Sequence, residues 1–438
     1  MAHRTQRTET PTLAGTDPAL LMVFGVTLLA VMGVSSITPA LPKVIAAFGL
    51  REAEVGLLIT AFTLPGVFLT PVAGVMADRL GRKRVLIPAL LLFGLAGGLC
   101  AFTQRLGVLL ALRALQGAAA APLGPLSTTL IGDLWQGPAR ARAMGYNASV
   151  LSLGTAAYPL VGGALATLGW NWPFLLPLLA LPLAWVIARR LDNPEPDDGG
   201  DLRGYLARAW EGLRDIRVLG VFAAGIVVFV ILYGCLLTYF SLLLGRVHGA
   251  SPVTIGLMMF AMSISTALAS SQLGPLARRF AKPTLIAAGF LAYAAAMALV
   301  PLLRETRLLL VPVVIFGLGH GVNFPALQTT LTELAPFEHR AIFMSLGGMM
   351  LRVGQTLGPV LMGLAFVAGG YKAVFWVGSA AGLAGLGIVA ATRGGGAGSP
   401  TGAGCVNGEG FALPPERDPG AGRCSGEDTS SAAEKGQP

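Results

Sequence analysis

The sequence predicts an all-α polytopic membrane protein with 12 transmembrane helices in two six-helix bundles. Three observations predict this fold class. The 438-residue chain has a mean hydropathy of +0.69 and only 12% charged residues, about half the charged fraction of a soluble globular protein. Apolar runs, each long enough to cross a bilayer as a helix of about 20 residues, recur from residue 20 to residue 392. The chain also matches itself at an offset of 200 residues.

The apolar runs divide the chain into twelve predicted spans. The first run is too long for a signal peptide and ends without a small-residue cleavage site, so we expect it to be the first span. The predicted spans are residues 20–42, 54–77, 85–103, 107–132, 142–167, 172–190, 218–243, 253–276, 284–302, 308–333, 341–367 and 371–392.

The basic residues predict the orientation of these spans, because cytoplasmic loops are enriched in Lys and Arg. With the amino terminus in the cytoplasm, the inner loops hold most of them, including Arg79, Arg82, Lys83 and Arg84. The outer loops hold only Lys43, Arg51, Arg105, Arg246, Arg304, Arg307 and Lys372. We therefore expect a protein of the cell inner (plasma) membrane with both termini in the cytoplasm. The net charge of +9 reports this orientation rather than nucleic-acid binding.

The internal repeat predicts how the spans are arranged. At the offset of 200 residues, Gly56 meets Gly256, Pro125 meets Pro325, Asp133 meets Glu333, Arg140 meets Arg340 and Pro159 meets Pro359. Because each half holds an even number of spans, both halves have the same orientation. The sequence thus predicts two bundles related by a pseudo-twofold axis along the membrane normal, a parallel repeat.

The composition divides the chain into five segments. We expect a cytoplasmic amino-terminal segment at 1–19, a six-helix bundle at 20–190, a cytoplasmic linker at 191–217, a second six-helix bundle at 218–392 and a disordered cytoplasmic tail at 393–438. The four cysteines, two inside spans and two in the tail, do not suggest a disulfide framework. The sequence predicts neither a metal site nor a cofactor.

Three motifs resemble those of a known transporter family. Residues 74–86 read G-V-M-A-D-R-L-G-R-K-R-V-L, between spans 2 and 3. This stretch resembles the loop signature of the major facilitator superfamily, with Met76 in place of Leu. The stretch L-R-A-L-Q-G in span 4 and G-T-A-A-Y-P-L-V-G-G in span 5 are similar to motifs of its drug and metabolite exporters. Tyr158 stands where those exporters usually have glycine. The resemblance covers about residues 18–392 and implies the major facilitator fold and a drug/metabolite:proton antiporter of 12 spans.

The loop motif predicts a charge cluster that acts as a gate. Asp78 ends span 2, where a carboxylate is suited to the amino-terminal end of a neighbouring helix. Arg82 has a natural partner in Asp133, which closes span 4 on the same side. The resemblance implies that such a cluster latches the cytoplasmic faces together in the outward-facing state. The predicted members are Gly74, Asp78, Arg79, Gly81, Arg82 and Asp133. The alternative is that the basic residues only determine topology.

A second set of residues predicts a substrate cavity. All 22 acidic residues fall at span ends, in loops or in terminal segments, whereas a carboxylate at membrane depth is the usual proton site of a pump. Basic side chains do lie inside spans, and burial costs them about 3 kcal/mol or more unless they face a cavity. The predicted cavity residues are Arg113, Gln116, Tyr146, Asn147, Tyr239, His320, Asn323, Arg352 and Gln355. Each could instead form hydrogen bonds between helices, and His320 could simply bond a backbone carbonyl.

Glycines and prolines in spans 5 and 11 predict points where these helices bend. Proline removes a backbone hydrogen bond, and glycine lets neighbouring helices approach closely. The predicted residues are Gly154, Pro159, Gly163, Gly354, Gly358, Pro359 and Gly363. The alternative is the ordinary tolerance of membrane helices for both residue types.

Together these features predict a secondary transporter that works by alternating access. We expect proton-coupled efflux of a small organic solute, a drug or metabolite that is anionic, zwitterionic or neutral. A symporter or uniporter of an organic anion is the alternative. No H-E-x-x-H or C-x-x-C motif points to an enzyme, and a non-transporting sensor is also disfavoured. The expected partners are a small-molecule substrate, protons and the lipid bilayer, without nucleic acid, and the protein is expected to be a monomer.

Overall fold

The protein is described by a computed structural model that covers residues 17–191, 216–334 and 340–394. Within helices, the side chains of Asp78, 340–345 and 392–394 are outside this description. The predicted amino-terminal segment, linker and tail lie almost wholly outside the described residues. Every regular element in the described part is helical, as predicted.

The helices are numbered in chain order. The first half contains α1 (Pro18–Phe48), α2 (Gly56–Leu80), α3 (Arg82–Cys100), α4 (Leu106–Leu134), α5 (Gly137–Leu168) and α6 (Trp172–Arg190). The second half contains α7 (Ile216–Val247), α8 (Pro252–Ser271), α9 (Lys282–Leu302), α10 (Leu310–Leu334), α11 (340–368) and α12 (371–394). A short helix, Leu273–Arg279, lies between α8 and α9.

Eleven stretches of the described chain are helical, long and apolar enough to cross a membrane. The last of them contains a break, because Gly369 and Gly370 have non-helical backbone angles and φ of Gly370 is 64°. Glycine tolerates a positive φ that strains other residues. The break separates α11 from α12, so the twelve predicted spans all correspond to helices.

Two helices of different halves begin in the same way. Asp17 precedes Pro18 and accepts a hydrogen bond from the amide of Ala19, while Ser251 precedes Pro252 and accepts one from the amide of Thr254. These side chains cap amides that have no partner inside the helix, and proline suits the first helical position because it lacks an amide hydrogen.

Close contacts between helices repeat at the predicted offset. A methyl group built on Gly117 of α4 would lie 1.8 Å from the carbonyl oxygen of Phe62 in α2. One built on Gly317 of α10 would lie 2.5 Å from the carbonyl oxygen of Met262 in α8. Both partners are shifted by the same 200 residues, so the two halves repeat their packing as well as their sequence.

The two halves meet closely at one end of the bundle. We call this the outer end; it carries the connecting segments 49–55, 169–171, 248–251 and 369–370, which the basic residues predict to face outside. Here Gly56 packs on Pro359, and Gly256 packs on the carbonyl of Pro159. The opposite end is called the inner end.

The same helices separate toward the inner end. Gly74 lies about five turns after Gly56 on the same face of α2, given 3.6 residues per turn, yet a methyl group built there would meet nothing within 4 Å. Gly145, about five turns before Gly163 on α5, is equally open, although Gly163 itself lies against the carbonyl of Pro252. Among the residues described, the structure is therefore closed at the outer end and open at the inner end.

Candidate functional site: a cavity between the two halves

A cavity of about 400 Å³ lies between the two halves. Eight helices line it, namely α1, α2, α4 and α5 from the first half and α7, α8, α10 and α11 from the second. Corresponding helices of the repeat thus occupy corresponding positions around the cavity. Its volume suits a small organic solute, since ligand pockets usually measure about 300 to 1,000 Å³.

The cavity wall is largely apolar, with a few polar side chains. Its apolar part includes Phe62, Leu151, Phe229, Leu237 and Met259. The polar side chains on it are Ser35, Thr70, Thr155, Tyr233, Ser263, His320, Arg352 and Gln355. None of the residues found in this lining is Asp or Glu. As far as the described residues go, the cavity is electropositive.

Arg352 reaches the cavity from α11. Its Nη1 donates to Oε1 of Gln355, one turn further on, at 3.3 Å. Its stem packs on Gly66 of α2, where a methyl group would lie 3.3 Å from Cδ of the arginine. The absence of a side chain at Gly66 therefore leaves room for the guanidinium between the two halves. Arg352 thus lies on the cavity wall between the halves, and its role in binding a solute stays a prediction.

His320 reaches the cavity from α10 within an aromatic cluster. Its Nδ1 lies 3.0 Å from the hydroxyl of Tyr293. Its ring stacks on Phe316 and Phe324 with centroid distances of 5.9 and 5.7 Å. The edge of Phe229 completes the cluster at 6.4 Å. The imidazole is thus oriented by a side-chain hydroxyl rather than by the backbone carbonyl that was the alternative.

Arg113 does not line the cavity, which differs from the prediction. It is fully buried inside the first half and donates to the carbonyls of Gly33 at 2.8 Å and Leu58 at 3.3 Å. Nη1 donates to Oε1 of Gln116 at 2.7 Å, and the guanidinium lies 4.4 Å from the ring centroid of Phe62. These contacts join α1, α2 and α4. Arg113 and Gln116 therefore connect helices of the first half and do not line the cavity as predicted.

Four other predicted cavity residues also lie elsewhere. Asn147 is buried and accepts a hydrogen bond from Thr27 at 2.6 Å. Asn323 donates to a backbone carbonyl of α9 at 2.8 Å. Tyr239 is buried near the outer end and stacks on Phe366, while Tyr146 is 43% exposed toward the inner end. Their neighbours explain the difference, because each side chain faces another helix or the surface instead of the cavity.

The predicted partner of Arg82 is confirmed. Nη1 of Arg82 lies 2.8 Å from Oδ2 of Asp133, and the turn before Arg82 is formed by Gly81, whose φ is 94°. Lys282 and Glu333 form the corresponding pair in the second half. Arg79 lies in the last turn of α2 and is exposed. The backbone of Asp78 belongs to α2, but its side chain lies outside the described residues, so its predicted role stays a prediction.

The predicted bending residues lie where helices touch. Methyl groups built on Gly154, Gly354 and Gly358 would lie 2.7, 2.6 and 2.8 Å from their nearest atoms on a neighbouring helix. At Gly163 and Gly363 the nearest atoms, carbonyl oxygens of the opposite half, would be 2.4 and 3.3 Å away. Helix α5 stays continuous through Pro159. Close approach is therefore what these residues provide here, and bending remains a prediction.

The sequence did not single out the apolar part of the wall. Phe229 and Leu237, for example, are ordinary members of an apolar span, and nothing in their spacing separates a cavity face from a packed face. The segment Ile231–Phe240 of α7 is π-helical, and π-helical turns occur frequently at functional sites. Tyr233 and Leu237 of this segment line the cavity, and the sequence carries no signal for the π-helical turn.

Comparison with known proteins identifies the family. The sequence profile of the Major Facilitator Superfamily matches residues 23–249 and again residues 222–400. The bacillibactin exporter of Bacillus subtilis (strain 168) is 26% identical over 355 residues, covering 78% of this chain and 88% of the relative. The class C tetracycline resistance protein of Escherichia coli is 26% identical over 384 residues, covering 83% and 94%.

A solved structure has the same fold. The crystal structure of the nucleoside transporter NupG superimposes with a TM-score of 0.72 at 14% identity, covering 86% of this chain and 99% of that one. At this identity the likeness concerns the fold. Together with the profile match over both halves, it leads to one conclusion: this chain is a secondary transporter of the Major Facilitator Superfamily.

Proposed function

We propose that the protein exports a small organic solute that is anionic, zwitterionic or neutral, in exchange for protons. The observation that carries the substrate class is the cavity lining, in which Arg352 is charged and no Asp or Glu is found among the described residues. A cationic drug in such a cavity would meet a like charge and no counter-ion. An anionic group would instead accept hydrogen bonds from the guanidinium.

The proposed direction of transport is based on the names of two relatives. One of them is named as an exporter and another as a resistance protein. The structure supports a cycle that starts from the inner end, because the cavity is closed toward the outer end by contacts such as Gly56 on Pro359. A solute from the cytoplasm would enter this state directly.

Proton coupling is assigned to His320 as the first candidate. Its imidazole lies on the cavity wall beside Tyr293, and histidine is the side chain that exchanges protons most readily near neutral pH. Asp78, Asp133 and Glu333 at the inner end are further candidates, as are protons carried by the substrate itself.

The remaining expectations form part of the same proposal. We place the protein in the plasma membrane as a monomer, with both termini in the cytoplasm. Residues 20–190 and 218–392 are proposed as the two moving bundles, 191–217 as their cytoplasmic linker, and 1–19 and 393–438 as cytoplasmic ends. The cluster around Asp78 and Arg82 is proposed to latch the inner end in the outward-facing state.

Solute flux into inverted membrane vesicles with an imposed pH gradient tests the proposal. Organic anions and cationic dyes are screened side by side with wild type, Arg352→Ala and Arg105→Ala, the last removing an exposed charge far from the cavity. We expect accumulation of anions that depends on the gradient, is lost in Arg352→Ala and persists in Arg105→Ala. Accumulation of cations alone, unaffected by Arg352→Ala, would refute the assigned substrate class.

A symporter or uniporter of an organic anion is the second candidate, which Arg352 supports equally. Flux measurements in the same vesicles distinguish these two modes from proton-coupled export. A symporter would move the anion in the same direction as protons, and a uniporter would move it without any response to the pH gradient.

A further inference from the structure

One carboxylate of the first half contacts two groups of the second half at the outer end. Oε1 of Glu52 lies 3.4 Å from Nε of Arg246, and Oε2 accepts a hydrogen bond from the hydroxyl of Tyr371. Other ion pairs seen between described residues, such as Arg82 with Asp133, join residues of the same half. Glu52 therefore bridges the two bodies that must separate when the outer end opens.

Three separate elements bring this contact together. Glu52 lies in the segment between α1 and α2, Arg246 in the last turn of α7, and Tyr371 at the start of α12. The backbone break at Gly369 and Gly370 sets the position of Tyr371. The side chain of Glu52 is 22% exposed and that of Arg246 is 46% exposed, so solvent at the outer end reaches the contact.

The contact has other charged and titratable neighbours, since His248 and Lys372 line the same surface pocket as Tyr371. Tyr239 of α7 lies within electrostatic reach of Glu52, and its buried hydroxyl has no hydrogen-bond partner among the described residues. Glu54 and Arg51 in the same segment bind each other, with Arg51 Nε 2.9 Å from Oε1 of Glu54. These hydrogen bonds lower the pKa of the Glu54 carboxyl. Glu54 thus binds a residue of its own segment, whereas Glu52 binds residues of the other half.

Other contacts between the halves near the outer end are made by backbone atoms, apolar atoms and hydroxyl groups, such as the hydrogen bond from Thr60 to the carbonyl of Thr356. Gly163 lies on the carbonyl of Pro252, and Gly56 lies on Pro359. Such contacts do not change with the pH of the solution. The repeat places Pro252 at the position that corresponds to Glu52, and Ala46 at the one that corresponds to Arg246. The charged contact is therefore a feature of one half, added to a symmetric framework.

We propose that Glu52 is a gating residue that holds the outer end closed while ionised and releases it on taking up a proton from the outer solution. A charge-assisted contact with Arg246 is stronger than one made by a neutral carboxyl group. By linkage, lowering the pH shifts the equilibrium toward the open outer end.

This role rests on the proposed function in two respects, namely alternating access and the orientation of the outer end. It supplies what the cavity lining lacks, a carboxylate that senses protons on the side toward which the solute is exported. Glu52 acts on the equilibrium between the closed and open states and does not touch the solute in the cavity.

Distance measurements between spin labels test the role without any substrate. Labels are attached to cysteines at Gln104 and Arg307, exposed residues of the outer loops of the two halves, in full-length protein that lacks the native cysteines and is reconstituted in lipid nanodiscs. We expect the longer distance to gain population as the pH is lowered. In Glu52→Gln the open-to-closed ratio at high pH should already be about fivefold higher, the shift expected from losing a partly exposed ion pair, and the pH response should be lost.

Glu54→Gln is the matched control, since it removes an equal charge two residues away. It should keep the wild-type distances and pH response. Arg246→Gln and Tyr371→Phe should each shift the ratio in the direction of Glu52→Gln, and they keep the role testable if Glu52→Gln folds poorly. A wild-type pH response in both Glu52→Gln and Arg246→Gln would overturn the gating role. Because no solute is present, that outcome is separate from failure of the export assay.

Discussion

Lys282 contacts Glu333 at the two positions that lie 200 residues after Arg82 and Asp133, which form an ion pair of their own. In both halves the basic residue begins a helix and the acid lies close to the end of another. The repeat therefore preserves an interaction, and this interaction ties α3 to α4 and α9 to α10 at the inner end. The first pair is better buried, with side chains 12% and 24% exposed against 33% and 57% in the second.

Replacing the acids should affect the two halves unequally. Asp133→Asn should lower stability by about 1 kcal/mol, and Glu333→Gln by less, because an exposed ion pair contributes little. The midpoint of thermal unfolding in detergent measures both. The charge swap Arg82→Asp with Asp133→Arg should recover part of the loss. Equal effects of the two single variants would contradict the ranking.

Gly117 should tolerate no side chain. In Gly117→Ala the new methyl group would lie 1.8 Å from the carbonyl oxygen of Phe62, so α2 and α4 must move apart. Overpacking of this kind costs about 3 kcal/mol, and Gly317→Ala should behave alike. Gly107→Ala on the same helix is the control, because nothing lies within 4 Å of its methyl position. Thermal unfolding should show a large loss for the first two variants and none for the third.

The fold follows from the sequence because the bilayer imposes simple rules. Each apolar run had to be a helix, and the Gly369–Gly370 break between α11 and α12 fell between two predicted spans. The repeat at 200 residues then predicted which helices correspond, and contacts such as Gly256 on Pro159 follow it.

The site was harder to predict because a sequence does not show which face of a span meets the cavity. Arg352 and His320 lie on the cavity wall, and the sequence points to them because burying a polar group inside an apolar span costs free energy unless it faces a cavity. The same reasoning misplaced Arg113, whose partners are backbone carbonyls of two other helices. Glu52 cannot be recognised from the sequence, because an acid in a loop carries no distinguishing signal until the fold brings Arg246 and Tyr371 to it.

Arg113 and Arg352 should therefore respond differently to substitution. Arg113→Met leaves the carbonyls of Gly33 and Leu58 without their donor, which should lower stability by about 3 kcal/mol, while the protein that folds keeps its KM. Arg352→Gln should leave thermal unfolding nearly unchanged and raise the KM for an anionic solute about tenfold or more. Measuring unfolding and transport on the same preparations separates the two. A changed KM in Arg113→Met would indicate that Arg113 takes part in solute binding after all.

Gly66 offers an indirect test of Arg352. A methyl group there would lie 3.3 Å from Cδ and 3.4 Å from Nε of the arginine, so Gly66→Ala should displace the guanidinium slightly and Gly66→Val further. We expect the KM for an anion to rise in that order at nearly constant maximal rate. In an Arg352→Gln background the glycine variants should add little, because the displaced group is already absent. Additive effects in that background would mean that Gly66 acts through helix packing instead.

His320 should separate binding from proton coupling. His320→Phe keeps the aromatic stack with Phe316 and Phe324 but removes the exchangeable proton and the contact with Tyr293. We expect this variant to bind the solute and to exchange it across the membrane when no pH gradient is imposed, since exchange needs no net proton movement. Uphill accumulation driven by a pH gradient should be lost. Tyr293→Phe, which keeps the imidazole and removes the hydroxyl, should retain uphill transport with a shifted pH profile. If His320→Phe still accumulated the solute against its gradient, the proton would have to be carried by another group, and the acids at the two ends of the bundle would be the next to be replaced.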